Sequence, residues 1–180
     1  MQIRKATFED VLATTKLVEK HALNNLPIIG LTEPYQSYFY TDKYRTQVKG
    51  LFLNGNETKN RNNDIIYVAT DTLENIVGYV SGGFSLDNDD YDGEIYTVFA
   101  LTTDKDFEVR NLLFKNIVDD LRKMNCKSIH VEITADDLNK DFYIDKGAKF
   151  ITEITNMTKP PYTTLDFGWT DIEEIKLWWK

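Results

Sequence analysis

GEIYTVFALTTDKDFEVRN, residues 93–111, is the stretch that decides the fold. Its first half alternates bulky side chains from Glu94 to Leu101, the pattern of a strand. A short polar connection follows and leads into LLFKNIVDDLRK, residues 112–123. There Leu112, Leu113, Asn116, Ile117 and Leu121 fall at helical spacing and predict a helix from Phe107 to Met124. A strand running into a helix points the helix's free N–H groups at whatever lies beyond the strand end, a place suited to phosphate.

Upstream, Ile3 to Lys5 reads as a short extended start. Thr7, with an acid three residues later at Asp10, opens a helical pattern of Val11, Leu12, Thr15, Val18 and Ala22. A second helical pattern runs from Tyr35 to Leu53, and residues 54–64 form a polar loop. Ile65–Ala69 and Ile76–Phe84 read as a hairpin joined through residues 71–75. Downstream come a buried strand at Lys127–Thr134, a short helix at Leu138–Asp145 stopped by Gly147, and a strand at Phe150–Met157. Pro160-Pro161 reads as the start of a detour, and Ile172–Trp179 as a last strand. The sum is one α+β domain over 1–180 with a mixed sheet of about seven strands flanked by helices. The strand, long helix, strand passage in the middle predicts a parallel pair.

Composition narrows the function. An apolar fraction of 42% with 13% aromatics suits a packed core rather than disorder. The net charge of −8 argues against nucleic acid and anionic lipid as partners. No apolar run approaches a membrane span, and the polar start does not read as a signal peptide, so the expected location is cytoplasmic. Cys126 is the lone cysteine and His21 and His130 the only histidines, a poor set for a metal site, and none is expected. Residues 87–94 are acidic and follow the front half of a calcium loop. The position due a bidentate Glu is Phe99, so that match reads as coincidental.

Three passages carry a resemblance to a known family. IRKATFEDV at the start, Gly93–Tyr96 with Val98-Phe99-Ala100, and Phe142-Tyr143-Ile144-Asp145-Lys146-Gly147-Ala148 resemble the GNAT family, the Gcn5-related N-acetyltransferases. The resemblance spans the element order from Ile3 to about Met157. It implies acetyl transfer from acetyl-CoA to a primary amine of a small molecule or peptide, by direct attack of the deprotonated amine.

On that resemblance Val98, Phe99 and Ala100 lie at a break in the fourth strand that would hold the pantetheine arm and offer an N–H to the oxyanion. The pyrophosphate loop falls on Lys105, Asp106, Phe107, Glu108, Val109, Arg110 and Asn111, with Glu108 and Arg110 where the family carries small residues. Arg110 is a candidate for direct contact with a phosphate. Asp136 stands where many members carry an Asn on the pantetheine arm. Tyr143 is implied as the donor to the leaving thiolate, and Glu94 or Glu132 as the base, acting through water. Each also has a plainer reading: Tyr143 as a packed aromatic beside Phe142, the two glutamates as solvent-facing strand residues, His130 as a core histidine. Two functions stay open, the acetyltransferase and a non-catalytic GNAT-fold binding or regulatory module, with a sheet that uses another thioester as a third. A homodimer is compatible with the three tryptophans near the C-terminus, Trp169, Trp178 and Trp179, although core packing is the more ordinary explanation.

Overall fold

The computed structural model describes residues 1–10, 12–17, 64–85, 88–101, 106–135, 137, 139–156 and 162–177. The second predicted helix, Lys105, Asp136, Trp178 and Trp179 therefore lie outside the described residues, as does His21.

Seven strands form one sheet: β1 (Gln2–Lys5), β2 (Ile65–Thr70), β3 (Ile76–Phe84), β4 (Gly93–Ala100), β5 (Ile129–Thr134), β6 (Lys149–Asn156) and β7 (Tyr162–Trp169). Their order across the sheet is β1-β2-β3-β4-β5-β7-β6. All neighbours are antiparallel except β4 and β5, the parallel pair expected of strands joined through a helix. That helix, α1 (Asp106–Lys123), and a short α2 (Lys140–Asp145) accompany the sheet. A helical turn over 12–17 follows a single 3-10 turn at Phe8–Asp10. There Asp10, clamped by two bonds from Arg4, accepts from the Thr7 backbone N–H.

One sheet face is apolar because α1 lies on it. Val109, Leu113, Phe114, Ile117, Val118 and Leu121 are buried at helical spacing against Val80, Ile95, Val98, Ile129 and Val131. Small residues let the helix come close. A Cβ at Gly82 would sit 2.6 Å from the Glu94 carbonyl oxygen and 3.2 Å from Ile117 Cγ1. Since strand side chains alternate, the residues between these core positions, Ser81, Glu94, His130, Glu132 and Asp166, face the other way.

One strand was misassigned from sequence. The seventh strand is Tyr162–Trp169, not Ile172–Trp179, and it inserts between β5 and β6. After Trp169 the chain turns instead of extending. Asp171 caps a 3-10 turn at Ile172–Glu174 by accepting from the Glu173 N–H, and Ile172 and Ile175 bury themselves from that turn. Trp169 itself is buried against Phe114 and Tyr143, and its indole N–H donates to the Lys146 carbonyl.

Candidate active site

The site begins where β4 and β5 part. The two strands are paired only at Gly93↔Ile129 and Glu94↔His130, yet β4 continues six residues beyond Glu94. From there the β5-facing edge of β4 has backbone donors and acceptors with no ladder partner among the described residues. A bulge adds to the divergence: Ser81 pairs with Thr97 and Gly82 with Ile95, so Tyr96 is the extra residue. The break was expected at Val98–Ala100. Those three residues instead pair regularly with Val80, Tyr79 and Gly78. The irregularity sits at Tyr96, and β5 makes no ladder pair with these three residues.

α2 delivers Tyr143 to that edge. Phe142 and Tyr143 are the buried residues of this one-and-a-half-turn helix, and Tyr143 is wedged among Phe114, Phe142 and Trp169. Its hydroxyl accepts a hydrogen bond from the backbone N–H of Val98. Burial pushes the phenol far above its ordinary range and nearby Asp137 pushes it further, while Arg110 and the Val98 N–H pull partly back. Tyr143 therefore stays protonated at every working pH.

The phosphate-loop residues are placed as follows. The helix already begins at Asp106, so the positions compared with a glycine loop are in its first turns, where N–H groups lack intrahelical partners. Glu108 is exposed and Val109 is in the core. Arg110 points inward: its guanidinium lies 5.5 Å from the Phe142 ring centroid, and its buried Nε has no hydrogen-bond partner among the described residues. The Arg110 charge also acts on Tyr143, holding its phenol somewhat lower than burial alone would. Asn111 follows on the same helix.

Of the two proposed bases, Glu94 sits at the fork with its side chain 17% exposed, whereas Glu132 is exposed farther along β5. The sequence reading missed what surrounds Glu94. His130, read as a core histidine, is buried but fully engaged: Nδ1 lies 3.0 Å from Asp166 Oδ1, and Nε2 lies 3.0 Å from Ser85 Oγ and 3.8 Å from Glu94 Oε2. Asn88 Nδ2 donates to the second Asp166 oxygen at 3.2 Å, and the Tyr91 ring packs 5.4 Å from the imidazole. Only the alternation of β5, which turns His130 away from α1, hinted at this. Its partners are 36 and 45 residues away in sequence. The acidic turn has a structural job as well: Asp92 accepts from the Lys127 and Ser128 N–H groups, which holds its carboxyl below the ordinary range.

No family model matches the sequence, and no curated protein matches it. Solved structures do. A protein assigned to the GNAT family of acetyltransferases from Desulfovibrio desulfuricans superposes with a TM-score of 0.66 at 14% identity, over 95% of this chain and 98% of that one. The fold is that of the GNAT acetyltransferases. A ribosomal-protein-alanine N-acetyltransferase from Brucella melitensis gives 0.67 at 16% identity over 94% and 99% of the two chains. A PaiA N-acetyltransferase from Thermoplasma acidophilum, solved with coenzyme A, gives 0.64 at 13% over 92% and 96%. Among the described residues no helix is long and apolar enough to cross a membrane.

Proposed function

We propose that this chain is an N-acetyltransferase that moves an acetyl group from acetyl-CoA to a primary amine of a small molecule or peptide. The observation that carries the reading is the Tyr143 hydroxyl on the Val98 N–H, on the stretch of β4 past its last pair with β5 at Glu94.

The residues fit a thioester arm. The unladdered edge of β4 beyond Glu94 offers main-chain hydrogen bonds to an extended amide chain, as a further strand would. The first turn of α1 offers N–H groups to a phosphate, and the exposed Glu108 side chain leaves that backbone accessible. Bound acetyl-CoA supplies the activated acyl group. Glu94, half-sheltered at the fork, takes the proton that an ammonium must lose before its nitrogen can attack. The Val98 N–H stabilises negative charge on a carbonyl oxygen that displaces the phenol from it. Tyr143 then serves the departing sulfur. Because burial makes it a weaker acid than a free phenol, its contribution is a hydrogen bond to the thiolate more than complete proton transfer.

The test is turnover of acetyl-CoA against a panel of polyamines, amino acids, aminoglycosides and peptide N-termini, following release of the free thiol. Acceptor-dependent release supports the reading. Saturable binding with no turnover across the panel would favour the non-catalytic module, the alternative that Glu108 and Arg110 at small-residue positions keep in view.

A further inference from the structure

We infer that His130, held by Asp166 and Ser85, is the proton sink for Glu94, so that the base of this site is a Glu94–His130–Asp166 relay rather than a single carboxylate. The inference rests on the proposed acyl transfer and adds a positioning and proton-carrying role for a residue on β5.

Three segments besides β5, the residue after β3, the start of β4 and β7, send Ser85, Glu94 and Asp166 to the His130 imidazole. The side chains of His130 and Asp166 are 4% and 8% exposed. A histidine needed only for packing would not require two carboxylates, and placing them there costs desolvation that a purely structural site avoids. Tyr91 covers the ring, and Glu132, the next residue on that face of β5, stands Cα-opposite Asp166. The charged side chains that face the imidazole among the described residues are Glu94, Glu132 and Asp166.

The Ser85 hydroxyl suits a ring that changes protonation state. Its oxygen lies 2.7 Å from the Asn88 carbonyl oxygen and 3.0 Å from His130 Nε2. With a neutral ring, Nδ1–H donates to Asp166 and the Ser85 hydroxyl can donate to Nε2. With a charged ring, Nε2–H donates to Ser85 Oγ, whose own proton turns to the Asn88 carbonyl. One rotation of a hydroxyl hydrogen satisfies both protonation states without moving a heavy atom. A site built to hold a single state does not need the second acceptor.

The step balances. The acceptor's N–H bond breaks and its proton passes to a Glu94 carboxylate oxygen, leaving the lone pair on nitrogen to attack. Protonated Glu94 then hands that proton to His130 Nε2, across the 3.8 Å contact by a small side-chain rotation or a bridging water. Glu94 is a carboxylate again, and the imidazolium sits between it and Asp166 until it releases the proton to solvent. Asp166 keeps Nδ1–H throughout, which fixes the tautomer.

The test combines kinetics with a measurement that needs no turnover. His130→Asn keeps an amide N–H near Asp166 and removes Nε2. We expect kcat to fall about a hundredfold with KM for both substrates unchanged. The variant should lose the same ionisation from its pH–rate profile that Glu94→Gln loses, and the double variant should be no slower than the slower single one. Multiplicative losses with an unchanged profile shape would overturn the relay. Independently, the chain has two histidines, so a His21→Gln background isolates the His130 ring in a long-range proton–nitrogen NMR spectrum. Glu94→Gln should move the His130 ring nitrogens towards the shifts of the neutral imidazole. Ring shifts indifferent to Glu94→Gln would overturn the relay even if His130→Asn fails to fold. A complete lack of acetyl transfer would instead remove the proposed function, and the NMR comparison would still decide whether Glu94 and His130 share a proton.

Discussion

Replacing Tyr143 by phenylalanine removes one oxygen atom and leaves the ring where it is, with centroids 5.4 Å from Phe142, 6.4 Å from Phe114 and 6.5 Å from Trp169. The buried loss is therefore a single hydrogen bond, and the group orphaned is the Val98 N–H. A buried donor left without a partner costs about 1–3 kcal/mol. For a domain of this size each kcal/mol moves Tm by about 2–4 °C, so Tyr143→Phe should melt roughly 2–12 °C below the parent. Catalysis should suffer separately. Losing the donor to the sulfur should lower kcat by about a hundredfold, while acetyl-CoA affinity changes little because the ring still shapes the fork. Differential scanning calorimetry reads the first effect and thiol release the second. An unchanged Tm would show that the Tyr143–Val98 bond is not made. An unchanged kcat with a lowered Tm would leave Tyr143 a structural residue and remove it from the mechanism.

Further outcomes follow from other contacts. Glu94→Gln should reduce kcat/KM by about a hundredfold or more near neutral pH without loss of acetyl-CoA binding in calorimetry; an unaltered rate would pass the base role to another group. Gly82→Ala should cost roughly 1–3 kcal/mol in urea unfolding, because a Cβ 2.6 Å from the Glu94 carbonyl oxygen forces β3 and β4 apart. No loss there would mean the strands are less tightly apposed than described. Asp120 accepts from Tyr67, Lys123 and Lys5, and these partners outweigh burial and hold its pKa at about 2. A depressed folded pKa contributes stability above the unfolded value near 3.8 and loses it as pH falls towards 2. Acid unfolding between about pH 4 and pH 2 should thus weaken by about 2 kcal/mol in Asp120→Asn, and an identical acid limb would contradict the assignment.

What the sequence revealed depended on distance along the chain. The β4–α1–β5 unit was legible because strand alternation and helix spacing are local signals, and Tyr143 was singled out because its motif is contiguous. The hairpin at 71–75 was legible too: Asp71 accepts from the Leu73 and Asn75 N–H groups, and Glu74 adopts positive φ. The seventh strand was misplaced because Ile172, Ile175 and the final tryptophans imitate a strand, while the Asp171 cap that turns the chain is a single side-chain bond. The bulge at Tyr96 carries no glycine or proline to announce it. His130 was read as core because burial was inferable but its partners were not. Asp166 reaches it across the β5–β7 pair, and Ser85 from the residue after β3.

The central claim is that the fork between β4 and β5, with the start of α1, receives acetyl-CoA. Isothermal titration of the chain with acetyl-CoA tests it most directly. The account predicts saturable one-site binding in the micromolar range, made measurably weaker or stronger by Tyr143→Phe only to a small extent. Absence of any saturable heat at millimolar ligand would contradict it.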